Sequence, residues 1–174
     1  ANDRIMTSSD GYAWQPATSG VLNLLWNCVV WSPELGLFCA VSYSGLIFVS
    51  SDGSVWVGIA SGAPSRQWWS VCWSPELGKF CAISRTGTGN DRVATTSDGF
   101  NWQAATSGVL DNVWQSVCWS PALGLFCAVG VSGAGSTRVM ISSDGLDWVS
   151  AMSGVDANGW RMVCWAEELG LFCA

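Results

Sequence analysis

Trp114–Ala128, WQSVCWSPALGLFCA, is a stretch that the chain writes four times. The other copies are Trp26–Ala40 (WNCVVWSPELGLFCA), Trp68–Ala82 (WWSVCWSPELGKFCA) and Trp160–Ala174 (WRMVCWAEELGLFCA). Each reads as two short apolar strands around a tight turn. A second element, Ser/Thr-Ser-Asp-Gly-x-x-Trp, accompanies it at Ser8–Trp14, Ser50–Trp56, Thr96–Trp102 and Ser142–Trp148. The aspartates Asp10, Asp52, Asp98 and Asp144 lie 42, 46 and 46 residues apart, and Trp31, Trp73, Trp119 and Trp165 repeat those spacings. A period of 40 to 50 residues filled with short strands points to propeller blades.

Within one unit the sequence predicts four strands: Trp114–Ser120, Leu125–Gly130, Arg138–Ser143 and Asp147–Met152. Turn signals separate them at Pro121–Gly124, Ser132–Ser136 and Asp144–Gly145, and Ser153–Gly154 leads into the next unit. No segment carries a sustained 3.6-residue period with caps, so helix content is expected to be very low. The chain begins with the third and fourth strands of a unit, at Arg4–Ser9 and Ala13–Thr18, and ends with a first and second, at Trp160–Trp165 and Leu171–Ala174. The expected fold is an all-β β-propeller of four four-stranded blades in one domain, 1–174, with units near 2–45, 46–89, 90–136 and 137–174. One blade is closed by the N- and C-terminal strands, which removes exposed sheet edges. Two closures satisfy this pattern: a four-bladed monomer, or a homodimer in which each chain supplies half of an eight-bladed ring.

Composition narrows the partners. The 174 residues suffice for one substantial core, burying about 70% of the unfolded surface. Half the residues are hydrophobic and 11% are charged, which suits buried strands or surfaces reserved for association. No apolar run reaches the ~20 residues of a membrane-spanning helix, and no basic and apolar leader pattern opens the sequence, so it reads as a soluble chain. With a net charge of −6, no His and scattered arginines, nucleic acid and anionic membranes are poor partners.

The eight cysteines fall two per unit: Cys28/Cys39, Cys72/Cys81, Cys118/Cys127 and Cys164/Cys173. If Ser74–Gly78 forms a five-residue loop, Trp73 faces Lys79, Val71 faces Cys81 and Cys72 pairs with Phe80. The two thiols then point to opposite faces of the blade, and an even-length loop reverses that conclusion. Without His or a C-x-x-C pair no metal site is expected, and no cofactor. Free cysteines acting as small buried apolar residues fit a reducing compartment.

The Ser-x-Asp-Gly-x-x-Trp element between third and fourth strands resembles the Asp-box, the bacterial neuraminidase repeat of sialidase-like propellers. In the usual Asp-box one residue separates Asp from Gly, whereas Asp10-Gly11, Asp52-Gly53, Asp98-Gly99 and Asp144-Gly145 are adjacent here. The resemblance implies a structural turn remote from any chemistry. The residue types give the same reading: Asp accepts backbone N–H groups, Gly takes positive φ, and Trp packs beneath. The thirteen tryptophans sit mostly at repeated strand-flanking positions, Trp69 being the extra one, and are expected to fill the wedges between blades.

Catalysis has little support. A sialidase needs an arginine cluster, a tyrosine nucleophile and a general acid; Arg4, Arg92 and Arg138 recur at equivalent repeat positions, and the two tyrosines, Tyr12 and Tyr43, sit in turns. Pairing of these arginines with Asp3 or Asp91, or simple solvation, is the plainer expectation. Glu34, Glu76, Glu167 and Glu168 lie in the hairpin turns, where carboxylates are expected to be solvated. No catalytic residue is assigned. A ligand, carbohydrate or peptide, is expected instead at the least repetitive loops, where Tyr43, Arg66, Arg85, Asn90, Asp111, Asn112 and Asn158 are the candidates. The leading functional reading is a non-catalytic binding or scaffold module, lectin-like or peptide-directed. A glycoside-processing enzyme and an excised or engineered propeller fragment are its alternatives.

Overall fold

The computed structural model describes residues 4–17, 24–59, 66–106, 108–109, 111–132, 137–154 and 159–174. Three four-stranded antiparallel meanders stand in chain order. Blade one holds β3 (Trp26–Ser32), β4 (Leu37–Ser42), β5 (Ile47–Ser50) and β6 (Val57–Ile59). Blade two holds β7 (Trp68–Ser74), β8 (Lys79–Ser84), β9 (Val93–Thr96) and β10 (Gln103–Ala104). Blade three holds β11 (Trp114–Ser120), β12 (Leu125–Gly130), β13 (Val139–Ser142) and β14 (Val149–Ala151). Both long strands of blade three coincide with the sequence-predicted ones, and the outer two are shorter at their ends. One 3₁₀ turn, Gly89–Arg92, is the helical element among the described residues.

At the ends, β1 (Met6–Thr7) pairs with β2 (Gln15–Pro16), and β15 (Cys164–Ala166) pairs with β16 (Leu171–Cys173). The sequence expects these two hairpins to join into one blade. Among the described residues they remain two separate two-stranded sheets.

Blades stack face to face because each strand alternates its side chains. Phe80 and Ala82 of β8 enter a core with Val41, Val49 and Trp68, while Cys81 and Ile83 of the same strand enter another with Trp114, Val117 and Met140. The first strands β3, β7, β11 and β15 lie against one another in sequence, giving a propeller-like all-β arrangement. Tryptophans fill the wedges: Trp68 and Trp114 are fully buried, and Trp102 and Trp148 nearly so.

The Asp-Gly turns lock each outer hairpin. In blade one Ser50 donates its hydroxyl to Asp52 Oδ1 at 3.1 Å and accepts the Gly53 N–H at 2.8 Å. Asp52 Oδ1 accepts the N–H groups of Ser54 and Val55 at 2.8 and 2.9 Å, and the Trp56 indole donates to Gly53 O at 3.0 Å. Gly53 sits at φ +73° with a Cβ position 2.8 Å from Thr7 Cγ2, so glycine is needed for both backbone and space. The set recurs at Asp10-Gly11, Asp98-Gly99 and Asp144-Gly145. Backbone donors hold these carboxyls below the usual range: Ala13 and Tyr12 at Asp10, Val55 and Ser54 at Asp52, Asn101 and Phe100 at Asp98. At Asp144 partial burial pushes the value up, and the N–H donors of Asp147 and Leu146 outweigh it.

The hairpin register departs from the five-residue loop expected from sequence. Ser74 pairs with Lys79 and Trp73 with Phe80, so Cys72 faces Cys81; Cys118 likewise faces Cys127, and Cys164 faces Cys173. Ser74 stays in the strand because its hydroxyl accepts the Leu77 N–H at 3.2 Å, and Gly78, at φ +58°, closes a four-residue turn. In blade one the cysteine is displaced, and Cys28 faces Val41 while Cys39 faces Val30. All eight cysteines are free thiols in this structure. Burial pushes the Cys118 thiol up to about 12 and that of Cys127 to about 11.

The hairpin glutamates are not simply solvated. Trp73 donates its indole N–H to Glu34 of the preceding blade at 2.7 Å, and Trp119 donates to Glu76 at 2.5 Å. Each of these turns is therefore pinned to the next blade's inner strand.

Candidate functional site

The site begins with a register shift. In β7 Trp68 pairs with Ser84 and Ser70 with Ile83, leaving Trp69 as the bulged residue; Asn27 and Gln115 occupy the same bulge in blades one and three. A bulge re-aims one side chain out of the alternating pattern. Asn27 uses this to donate to the Trp68 carbonyl at 2.7 Å, bracing blade one against blade two. Trp69 instead meets the connection loops.

There the Tyr43 and Trp69 rings make an edge contact with centroids 6.4 Å apart, and the Arg85 guanidinium lies 4.4 Å from the Trp69 ring centre. Tyr43 belongs to the β4–β5 turn and Arg85 follows β8, so two blades build one aromatic and cationic platform. A guanidinium held over an aromatic face contributes about 0.5–1 kcal/mol at a partly exposed site. Among the described residues the polar edge of that guanidinium makes no hydrogen bond, and it stays available to an acceptor from solution.

Beside the platform, Arg66 pairs with Asp91 at 2.6 Å. The Arg66 chain runs over Gly87, where a Cβ would stand 2.9 Å from its Nε, so glycine makes room for the pair. Arg92 pairs with Asp111 at 3.4 Å and donates to the carbonyls of Asn112 and Arg85 at 2.6 and 3.0 Å. Asp91, expected to pair with Arg92, serves Arg66 instead, and Arg92 uses Asp111. Asp111 also accepts the Gly89 N–H.

The structure brings together Tyr43, Arg66 and Arg85 on one rim, with Asp111 beside them through Arg92. Asn90 and Asn112 prove to be braces: Asn90 donates to the Thr106 carbonyl at 2.6 Å, and buried Asn112 donates to the Thr137 carbonyl. Asn158 lies outside the described residues. Trp69 was missing from the sequence-derived site, although its status as the one tryptophan outside the repeat is the signal that marks it. Among the described residues no three His, Cys, Asp or Glu side chains converge as a metal site, and no helix is long and apolar enough to cross a membrane.

No family model matches the chain, and no curated protein matches it. Solved structures do share its fold. YCF48 from Cyanidioschyzon merolae superposes with a TM-score of 0.61 at 16% identity, over 92% of this chain and 52% of that one. A structure described as YCF48 bound to D1 peptide gives a TM-score of 0.60 at 20% identity, over 86% of this chain and 47% of that one. The chain spans about half the length of these structures. The likeness establishes a propeller-like all-β fold.

Proposed function

We propose that this chain is a non-catalytic propeller module that binds a peptide segment on the rim built from Tyr43, Trp69 and Arg85. The observation that carries the reading is Arg85 stacked on the bulged Trp69, with its polar edge open. An immobilised guanidinium beside an aromatic face suits a peptide carboxylate followed by an apolar side chain, since the charge is oriented before binding and little rotamer entropy is lost. The Arg66–Asp91 and Arg92–Asp111 pairs flank the platform and hold the loops that carry it. That a structurally similar propeller is described as bound to a peptide supports the choice of ligand class.

The reading is tested by screening an array of acidic–aromatic peptides and titrating the best one calorimetrically. Trp69→Ala and Arg85→Ala should each weaken it about ten-fold, as anchors in an interface do, while Asn27→Ala should not. Unchanged affinity in the first two variants overturns the site. Saturable glycan binding without peptide binding favours a lectin-like role, and turnover of fluorogenic glycosides favours the enzyme.

A further inference from the structure

The junction between blades one and two and the junction between blades two and three are equivalent in the repeat, and the sequence fills them differently. We propose that the groove at the first junction docks an extended peptide segment of a partner protein, which lays an apolar side chain in the groove and supplies a basic side chain to the turn at Asp98.

The groove, about 200 Å³, is lined by Leu37, Val49, Val55 and Val57 of blade one, by Phe100 from the turn of blade two, and by Asp52. That volume is below the roughly 300–1,000 Å³ of small-molecule sites and suits single side chains. The two blades that bound it are each a full four-stranded sheet of this chain. Val55, Val57 and Phe100 are 57%, 55% and 47% exposed. Exposed apolar side chains gathered in one place and rimmed by polar groups mark an interaction site.

One repeat further on, the same positions are mostly polar. Thr95 stands for Val49, Asn101 for Val55, Gln103 for Val57 and Lys79 for Leu37, while Leu146 stands for Phe100. Lys79 is the one lysine of the chain, and its ammonium crosses to blade three and donates to the Asp144 carbonyl at 3.1 Å. The second junction thus shows what this turn takes from its neighbour, a cation. At the first junction the cation is missing. Leu37 ends against the turn instead, with its Cδ1 3.4 Å from the Cβ position of Gly99, and the Asp98 carbonyl accepts no side-chain donor among the described residues.

The negative charge remains. Asp52 lines the groove and Asp98 lies two residues before Phe100, both carboxyls held below the usual range by backbone N–H donors, in a chain of net charge −6. Among the described residues neither forms a salt bridge. An acidic rim over an apolar floor selects a segment with a basic side chain next to apolar ones. β6 is the outermost strand of its sheet, so the segment's backbone has an edge to pair with while alternate side chains reach the groove. The site lies at the far end of β5 from Tyr43 and shares no residue with the rim of Tyr43, Trp69 and Arg85.

The test uses the 174-residue chain carrying Trp69→Ala and Arg85→Ala, so that a ligand of the rim does not report here. Selection on it from a displayed library of random heptapeptides should enrich a basic residue flanked by apolar ones, and synthetic versions of the enriched sequences are then titrated calorimetrically. Leu37→Lys copies Lys79 and supplies the cation from within, and Val57→Gln copies Gln103. Each repeats a residue with which blade two already folds, and each should weaken binding about ten-fold with the far-UV spectrum unchanged. No enrichment over the unselected library, enrichment without a basic residue, or an affinity that either variant leaves unchanged overturns the proposal.

Discussion

The Asp-Gly-x-x-Trp turn is built alike at Ser142–Trp148 and at Ser8–Trp14, yet the two stand in opposite surroundings. Local hydrogen bonds are the same: Asp144 and Asp10 each accept two backbone N–H groups, and each indole donates to the glycine carbonyl at 3.1 Å. Trp148 then disappears beneath Phe126, while Trp14 faces an empty groove. A turn of this kind is a local device; its stabilising weight comes from what the tryptophan packs against.

The largest expected effect separates the two rings. Trp148→Ala should cost about 3–5 kcal/mol, the usual loss for a fully buried aromatic. Trp14→Ala, at a half-exposed ring, should cost about 1 kcal/mol or less. Urea titrations measure both, and equal losses would erase the distinction.

Glycine substitutions sharpen the same contrast at smaller amplitude. Gly145→Ala must place a Cβ 2.7 Å from Thr95 Cγ2 at φ +78°, so steric crowding adds to the left-handed strain, for about 2–3 kcal/mol in all. Gly11→Ala, with open space at φ +77°, should lose about 1 kcal/mol in melting experiments.

The indole pins differ between regions by one residue. Glu76→Ala should remove about 1–2 kcal/mol by leaving the Trp119 donor unpaired, whereas Ala122→Glu should stabilise by about 1 kcal/mol by supplying Trp165 with its missing acceptor. A neutral Ala122→Glu would show that water already serves that nitrogen.

Acid should reveal all four turns together. Their aspartates have folded pKa values below the ordinary one, so the folded chain binds fewer protons than the unfolded. The stabilisation is complete above the unfolded value near 3.8 and is lost as pH falls through the lower folded values. Melting temperatures should therefore drop below about pH 4, and less so in Asp98→Asn.

The smallest effect is chemical. Cys164 and Cys173 face each other as Cys118 and Cys127 do, but are exposed, so native alkylation near pH 8 should label the end pair faster than half-buried Cys118 and buried Cys127, whose thiols are raised to about 12 and 11.

Much of the fold was legible because a repeat states its own boundaries four times: strand lengths, meander order and turn chemistry follow from apolar runs and Asp-Gly, Pro and Gly punctuation. The hairpin register was not. Whether Ser74 belongs to strand or loop depends on its hydroxyl accepting the Leu77 N–H, and that one-residue choice decides which cysteines meet. The candidate rim was legible as a set of irregular loops but not as a platform. Tyr43, Trp69 and Arg85 come from different strand ends, and the bulge that frees Trp69 breaks the alternation on which strand reading depends.

The sequence by itself determined the period, the four-strand unit and the chemistry of each turn, because these rest on contacts within a few residues. Only the tertiary structure decided which glutamate pins which tryptophan, what buries each ring, and which edges stay open. Those depend on contacts some forty residues apart, where identical repeats acquire different neighbours.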